Sequence, residues 1–219
     1  MGKMRDTVTT AGTGTARAVP DVAVVRLGVE ARAQSLPAAF EEASAAAQRT
    51  VDASLSAGTP RSDIASGGLW VRSETVWREG AGQKIIGYAA GAALTVTSRD
   101  LARTPELLGA VVRAAGDALR VNGLTLEVSD PSSARAAAQE AAFDDARAAA
   151  ARLAARAGRT LGDVISISAG GPPAPGGPIP LARAALASSV EPMPVEAGEA
   201  EVSASVTVTW RLLPGPGSA

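Results

Sequence analysis

Near the C-terminus Val202, Ala204, Val206, Val208, Trp210 and Leu212 alternate with Glu201, Ser203, Ser205, Thr207, Thr209 and Arg211. A strict period of two places every apolar side chain on one face of an extended strand and every polar one on the other, which no helix can do. The chain is therefore committed to a sheet with one covered face. The same signature recurs where Ala23, Val25, Leu27, Val29 and Ala31 alternate with Val24, Arg26, Gly28, Glu30 and Arg32.

Before and between these two strands the spacing changes repeatedly. Thr7 to Ala18 reads as a strand whose Gly12 and Gly14 share a face. Ser35 and Pro37 supply start signals for a helix in which Phe40, Ala43, Ala47, Val51 and Leu55 fall at helical spacing, and Gly58 and Pro60 end it. Leu69 to Arg78 and Lys84 to Ser98 read as two antiparallel strands joined by a glycine-containing turn at 79–83. Thr104 as N-cap with Pro105 opens a second helix lined by Leu108, Val111, Val112, Ala115 and Leu119, which Asn122-Gly123 breaks before a short strand from Leu124 to Val128. Asp130-Pro131 starts a long alanine-rich helix with Ala142, Ala146, Ala149, Leu153 and Ala157 on one side, and Gly158 stops it. Val164 to Ser168 follows as a strand.

From Asp21 onward the order strand, helix, strand, strand, helix, strand matches the split βαβ plan. The expected class is α/β, or α+β, with a mixed, largely antiparallel sheet, two shorter helices and one long alanine-rich one. One domain over 7–213 is the default for this length, with two small ones as the fallback. Residues 170–198 are dense in proline and glycine and read as a loop with a helical turn around Leu181 to Ala187, and 214–219 reads as a flexible tail.

The sequence contains no cysteine and no histidine, which removes thiol nucleophiles, disulfides, Cys/His zinc sites and histidine acid–base chemistry from a single chain. Carboxylate chemistry survives that exclusion. Lys and Arg number 21 against 22 Asp and Glu, so no net field attracts nucleic acid. No uncharged apolar run reaches the roughly 20 residues of a spanning helix. The opening Met1-Gly2-Lys3-Met4-Arg5-Asp6 has no apolar stretch of the secretory kind, so the chain as given reads as cytoplasmic, or as exported if it is a mature or trimmed form.

Gly12-Thr13-Gly14 is no dinucleotide fingerprint: the third glycine of GxGxxG would fall at Arg17, and a strand follows instead of a helix. Glycine at these positions permits close strand approach or a bulge. The adjacent acids Glu41-Glu42 and Asp144-Asp145 point about 100° apart on a helix and read as solvated faces. Asp21, Asp63, Asp100, Asp130 and Asp163 lie at element boundaries, where aspartate caps backbone N–H groups, with a carboxylate or magnesium site as the alternative. No catalytic, cofactor or metal residue is assigned. Trp70 and Trp77 are an odd number of positions apart in one strand, hence on opposite faces, with Tyr88 on the partner strand. One ring is expected to enter the core and the other to need a cover, which makes Trp70, Trp77 and Tyr88 the candidate oligomer interface.

Along nearly its whole length the chain resembles the SIMPL (DUF541) family. The resemblance rests on Gly12-Thr13-Gly14, Val19-Pro20-Asp21-Val22-Ala23, Leu27-Gly28-Val29, Asp63-Ile64, Gly87-Tyr88 and the run from Val96 to Leu101. It continues through Leu153-Ala154, Gly158, Leu161-Gly162-Asp163-Val164 and Met193-Pro194-Val195-Glu196-Ala197-Gly198. It implies an α/β fold, a bacterial and frequently envelope-associated protein, ring-like or hollow homo-oligomers, links to stress tolerance and no established catalytic residues. The leading expectation is a non-catalytic, self-assembling protein without cofactors. The alternatives are a module binding a small apolar ligand or a protein partner, and a carboxylate and magnesium enzyme.

Overall fold

The computed structural model describes residues 6–80, 82–170 and 198–215. These residues pack as two compact units.

One unit is built from β2 (Val22–Ala33), α1 (Leu36–Ser56), β3 (Ile64–Arg78), β4 (Gly82–Ser98), α2 (Thr104–Ala115) and β5 (Leu119–Glu127). Its four-stranded sheet has the order β3-β4-β2-β5 with antiparallel neighbours throughout. β2 and β3 flank β4 and run the same way, so the split βαβ reading and the mixed α/β class are observed. Val25, Leu27 and Val29 on β2 oppose Val96, Leu94 and Ala92 on β4. These residues meet Ala46 of α1 and Leu107 and Val111 of α2 in one core, so both helices cover the same sheet face. Arg26, Gly28, Glu30 and Arg32, one step out of phase, occupy the other face.

Three local readings need correction. α1 is capped by Ser35 as expected, but it buries Ala39, Ala43, Ala46, Thr50 and Ser54, leaving Phe40 exposed. Alanine fits closer to the sheet than phenylalanine does, and the buried hydroxyls are satisfied within the helix: Thr50 donates to Ala46 O and Ser54 to Thr50 O. α2 is not capped by Thr104. A preceding 3₁₀ turn is capped by Asp100, which accepts from the N–H groups of Ala102 and Arg103, while Thr104 is buried with its hydroxyl near Ser98 Oγ and Asp100 O. α2 ends at Ala115 because Gly116 takes a positive φ of 58°, so its inner face is Thr104, Leu107, Val111 and Ala115. Asn122-Gly123 therefore lies inside β5, where the register against Arg26 and Leu27 slips.

The other unit holds β1 (Thr7–Ala18), α3 (Ser132–Arg156), β6 (Arg159–Ala169) and β7 (Ala200–Pro214). β7 is the middle strand of the order β1-β7-β6 and is antiparallel to both neighbours. Ala204, Val206, Val208 and Trp210 are buried as the alternation requires, and Trp210 at 2% exposed is the tryptophan that fills a core. Its ring lies 6.2 Å from that of Phe143, among Ala142, Ala146 and Ala150. α3 buries Ala134, Ala138, Ala142, Ala146, Ala150 and Ala154, a row at every fourth residue, so Ala149 and Leu153 do not line the inner face. α3 starts one residue later than the cap-plus-proline reading placed it: Pro131 is its N-cap, and Asp130 accepts from Ser132 N–H.

That alanine row lies on Gly12 and Gly14. A Cβ at Gly12 would collide with the backbone of Ala142 and Ala146, and one at Gly14 with the backbone of Ala138 and Ala142. Thr10, next on the same face, donates 2.7 Å to Ala146 O, and Thr13 N–H donates 3.1 Å to Asp145. The Gly-Thr-Gly sequence is thus a seat for a helix. The proline-rich stretch 170–198 lies outside the described residues except for its two ends, as do 216–219. Pro214, assigned to the tail in sequence, is the last residue of β7.

Candidate functional site: the faces of the β3–β4 hairpin

β3 and β4 form a long ribbon joined through a turn in which Gly80 and Gly82 have positive φ. Opposed residues of an antiparallel pair share a face. One face accordingly carries Leu69, Val71, Trp77, Tyr88 and Ile85, and the other Trp70, Arg72, Glu74 and Gly91. Trp70 and Trp77 lie on opposite faces, but neither enters a core.

Trp77 is 78% exposed. Leu69 at 59%, with Val71 and Ile85, extends the exposed apolar strip along the face that bears α1 and α2 further along the sheet. Tyr88 shares that face but is half-buried against Ala31, Ala39, Ala43 and Ala90, so the start of α1 already covers it. The helix layer covers Tyr88 on β4 but leaves the edge strand β3 and the tip of the ribbon bare.

On the opposite face Trp70 packs against Gly91, where a Cβ would strike the indole. The Arg72 guanidinium stacks above it, 4.5 Å from the ring centre. Arg72 also reaches Glu30 at 3.5 Å, and Arg32 bridges Glu30 at 2.8 Å and Glu74 at 2.7 Å. Glu30 Oε1 is shielded from solvent and held by charge alone, since neither guanidinium is aligned to donate to it. This chain of alternating charges, with small Gly87, Ala89 and Gly91 beneath, was legible only as the polar phase of two strands. Nothing in the sequence indicated that β3 would bring Arg72 and Glu74 opposite Glu30 and Arg32.

The boundary aspartates are scattered. Asp21 accepts from Ser129 N–H at 2.7 Å and from Ser129 Oγ at 2.5 Å, and these hydrogen bonds hold its carboxyl below the ordinary value. Asp63, expected as a cap, is instead buried and takes a two-pronged bond from Arg99 at 2.6 and 2.8 Å. That bond, aided by the guanidinium charge and opposed by burial, depresses the Asp63 carboxyl and raises Arg99. A cavity of about 240 Å³ lies beside this pair, lined by Gly58, Thr59, Pro60, Arg99, Asp100 and Arg103. Arg103 points there to Ala57 O at the end of α1. Among the described residues no three carboxylates converge as metal ligands.

Arg99→Ala is expected to lower the melting temperature by several degrees at pH 7, more than Asp63→Asn does. Its loss strands a buried carboxylate, whereas loss of Asp63 leaves a solvated guanidinium. Because the Asp63 carboxyl is depressed, the pair contributes fully above the ordinary carboxylate range near pH 4 and is lost as pH falls through the lower folded value. The difference between wild type and Arg99→Ala should therefore shrink on acidification. Melts from pH 7 to pH 2 check this, and a constant difference would contradict it.

A family model described as SIMPL, protein of unknown function (DUF541), matches residues 8–210. The 26 kDa periplasmic immunogenic protein of Brucella melitensis is 30% identical over 92% of this chain and 82% of its own length. The uncharacterized protein YggE of Edwardsiella ictaluri is 29% identical over 73% of this chain and 66% of its own. The crystal structure of AtUAH in complex with glyoxylate aligns with a TM-score of 0.26 at 12% identity, covering 56% of this chain and 29% of that one, a likeness that bears on neither fold nor chemistry.

Proposed function

We propose, from the premise that the chain belongs to the SIMPL family, that it is a non-catalytic protein that self-assembles into a homo-oligomer with a structural or stress-associated role. The reading takes residues 7–213 as a single SIMPL-like domain. The observation that carries it is the set of exposed apolar side chains Leu69, Val71, Trp77 and Ile85 on one face of the hairpin, interrupted along β3 only by Ser73 and Thr75, since exposed apolar surface gathered on one face marks interaction sites. Trp77 is the ring placed at the centre of the subunit contact, with Tyr88 inward on the same face and Trp70 bracing the ribbon from behind. The lack of histidine and cysteine supports a non-catalytic role, as does the engagement of Asp21, Asp63 and Asp100 in structural bonds. The periplasmic description of the Brucella relative favours an exported or envelope location over a cytoplasmic one. No helix among the described residues is long and apolar enough to cross a membrane.

The test is molar mass by light scattering. Wild type is expected at a multiple of 21.8 kDa, and Trp77→Lys at a lower mass with an unchanged melting temperature, because the ring rests on no core of its own chain. A monomeric wild type at high concentration, or a Trp77→Lys variant of unaltered mass, would remove the hairpin as the assembly surface.

A further inference from the structure

α3 lies across β1 and β7, and the third strand of that sheet is left beside it. Ile167 of β6 opposes Val208, which is fully buried, and so faces the helix side, yet it is 59% exposed. Val164 and Ile165 are exposed as well. A cleft of about 540 Å³ runs between α3 and this strand. Its apolar lining is Ala136, Phe143, Ile167, Ala169 and Val206, and Gln139, Glu140 and Asp144 border it on the helix. β6 is the end of its sheet order, so one backbone edge has no strand partner among the described residues. Edge strands are normally protected by bulges, prolines or charges. The register irregularities of β6 fall between Leu161 and Ser166, so Ser166 to Ala169 is a regular stretch with neither charge nor proline.

The border carries a second signal. Glu140 and Asp144 stand four residues apart on one helix ridge, where like charges repel. Neither has an ion-pair partner among the described residues. Asp145 points elsewhere, to Thr13 N–H. Two uncompensated carboxylates beside an apolar trough and an open strand edge fit a ligand that supplies backbone hydrogen bonds, alternate apolar side chains and positive charge.

We propose that this edge and cleft bind an extended peptide of alternating apolar residues carrying lysine or arginine, added as a fourth strand beside β6. The peptide backbone pairs with β6, every second side chain hangs over the Phe143–Ile167 trough, and a basic residue reaches Glu140 and Asp144. A two-fold pairing of β6 with the β6 of a second copy is the poorer occupant. It returns the same patch to itself, acids included, and supplies no cation.

The probe is a fluorescein-labelled peptide, Val-Thr-Lys-Thr-Val-Thr-Lys, whose valines and lysines share one face of the extended strand, titrated with the full chain and followed by anisotropy. Saturable, salt-sensitive binding is expected, weakened about tenfold by Glu140→Lys with Asp144→Lys and regained by that variant when the peptide lysines are replaced by glutamate. A peptide N-methylated at alternate residues should not bind, because it cannot pair with the edge. Ile167→Asp should abolish binding. Should that variant misfold, the doubly charge-reversed protein, altered only at the helix border, carries the test. No saturable binding, equal binding by wild type and the charge-reversed protein, or equal binding of the N-methylated peptide would each overturn the proposal. So would a wild type that takes no peptide but loses molar mass on Ile167→Asp, which would assign the edge to a second copy.

Discussion

Removing Glu201 to Ala219 is expected to leave a chain whose β1, β6 and α3 cannot fold. β7 is hydrogen-bonded to β1 from Thr7 to Ala18 on one side and to β6 from Arg159 to Ala169 on the other. It also carries Val206, Val208 and Trp210, the largest of the buried residues of that core. Losing Trp210 alone costs about 3–5 kcal/mol by comparison with other aromatic truncations, and the deletion removes the sheet's middle as well. The truncated protein should be insoluble, or should retain only the far-UV signal of β2–β5, α1 and α2. A soluble product that melts cooperatively with the wild-type signal would refute the central placement of β7.

The second large effect is expected from a single methyl group. Gly12→Ala and Gly14→Ala each drive a Cβ into the backbone of α3, and neither strand nor helix can yield without breaking the ladder to β7 or the contact with the alanine row. Each should cost about 3 kcal/mol or more, the upper end for overpacking, which in a chain of this length is about 6–12 °C of melting temperature. Ala11→Val and Thr13→Ala change side chains that face solvent on the same strand and should move the melt little. Equal effects at all four positions would mean that the strand, and not the helix seat, sets the cost.

How much of this could be read beforehand follows from what each side chain can signal. β2, β7 and the hairpin were legible because valine, leucine and tryptophan alternate there with charges and hydroxyls. The inner faces of the helices were not. In α3 alanine occurs on every side, and only contact with Gly12 and Gly14 selects the row from Ala134 to Ala154. In α1 the buried positions include Thr50 and Ser54, which hydropathy assigns to solvent. Two stop signals follow α2, Gly116 and Asn122-Gly123, and the weaker-looking single glycine ends it. The faces of Trp70 and Trp77 were deducible from parity, whereas the exposure of Trp77 depends on where the helix layer stops and that of Trp70 on Arg72 stacking over it. The cleft beside β6 left no mark in the sequence beyond Glu140 and Asp144 at a spacing of four, since it arises from a helix lying across two strands of three.

The place of β7 also governs the order in which the chain can acquire structure during synthesis. Val22 to Glu127 supplies four strands and two helices from one continuous stretch, so that sheet can close on itself while the rest is still being made. β1, by contrast, leaves the ribosome early, and its register partners are Ala200 to Arg211. Contacts at such separation are slow to form. For most of translation the first strand is an unpaired, glycine-containing ribbon, and the small residues that seat α3 also make it a poor template for premature pairing.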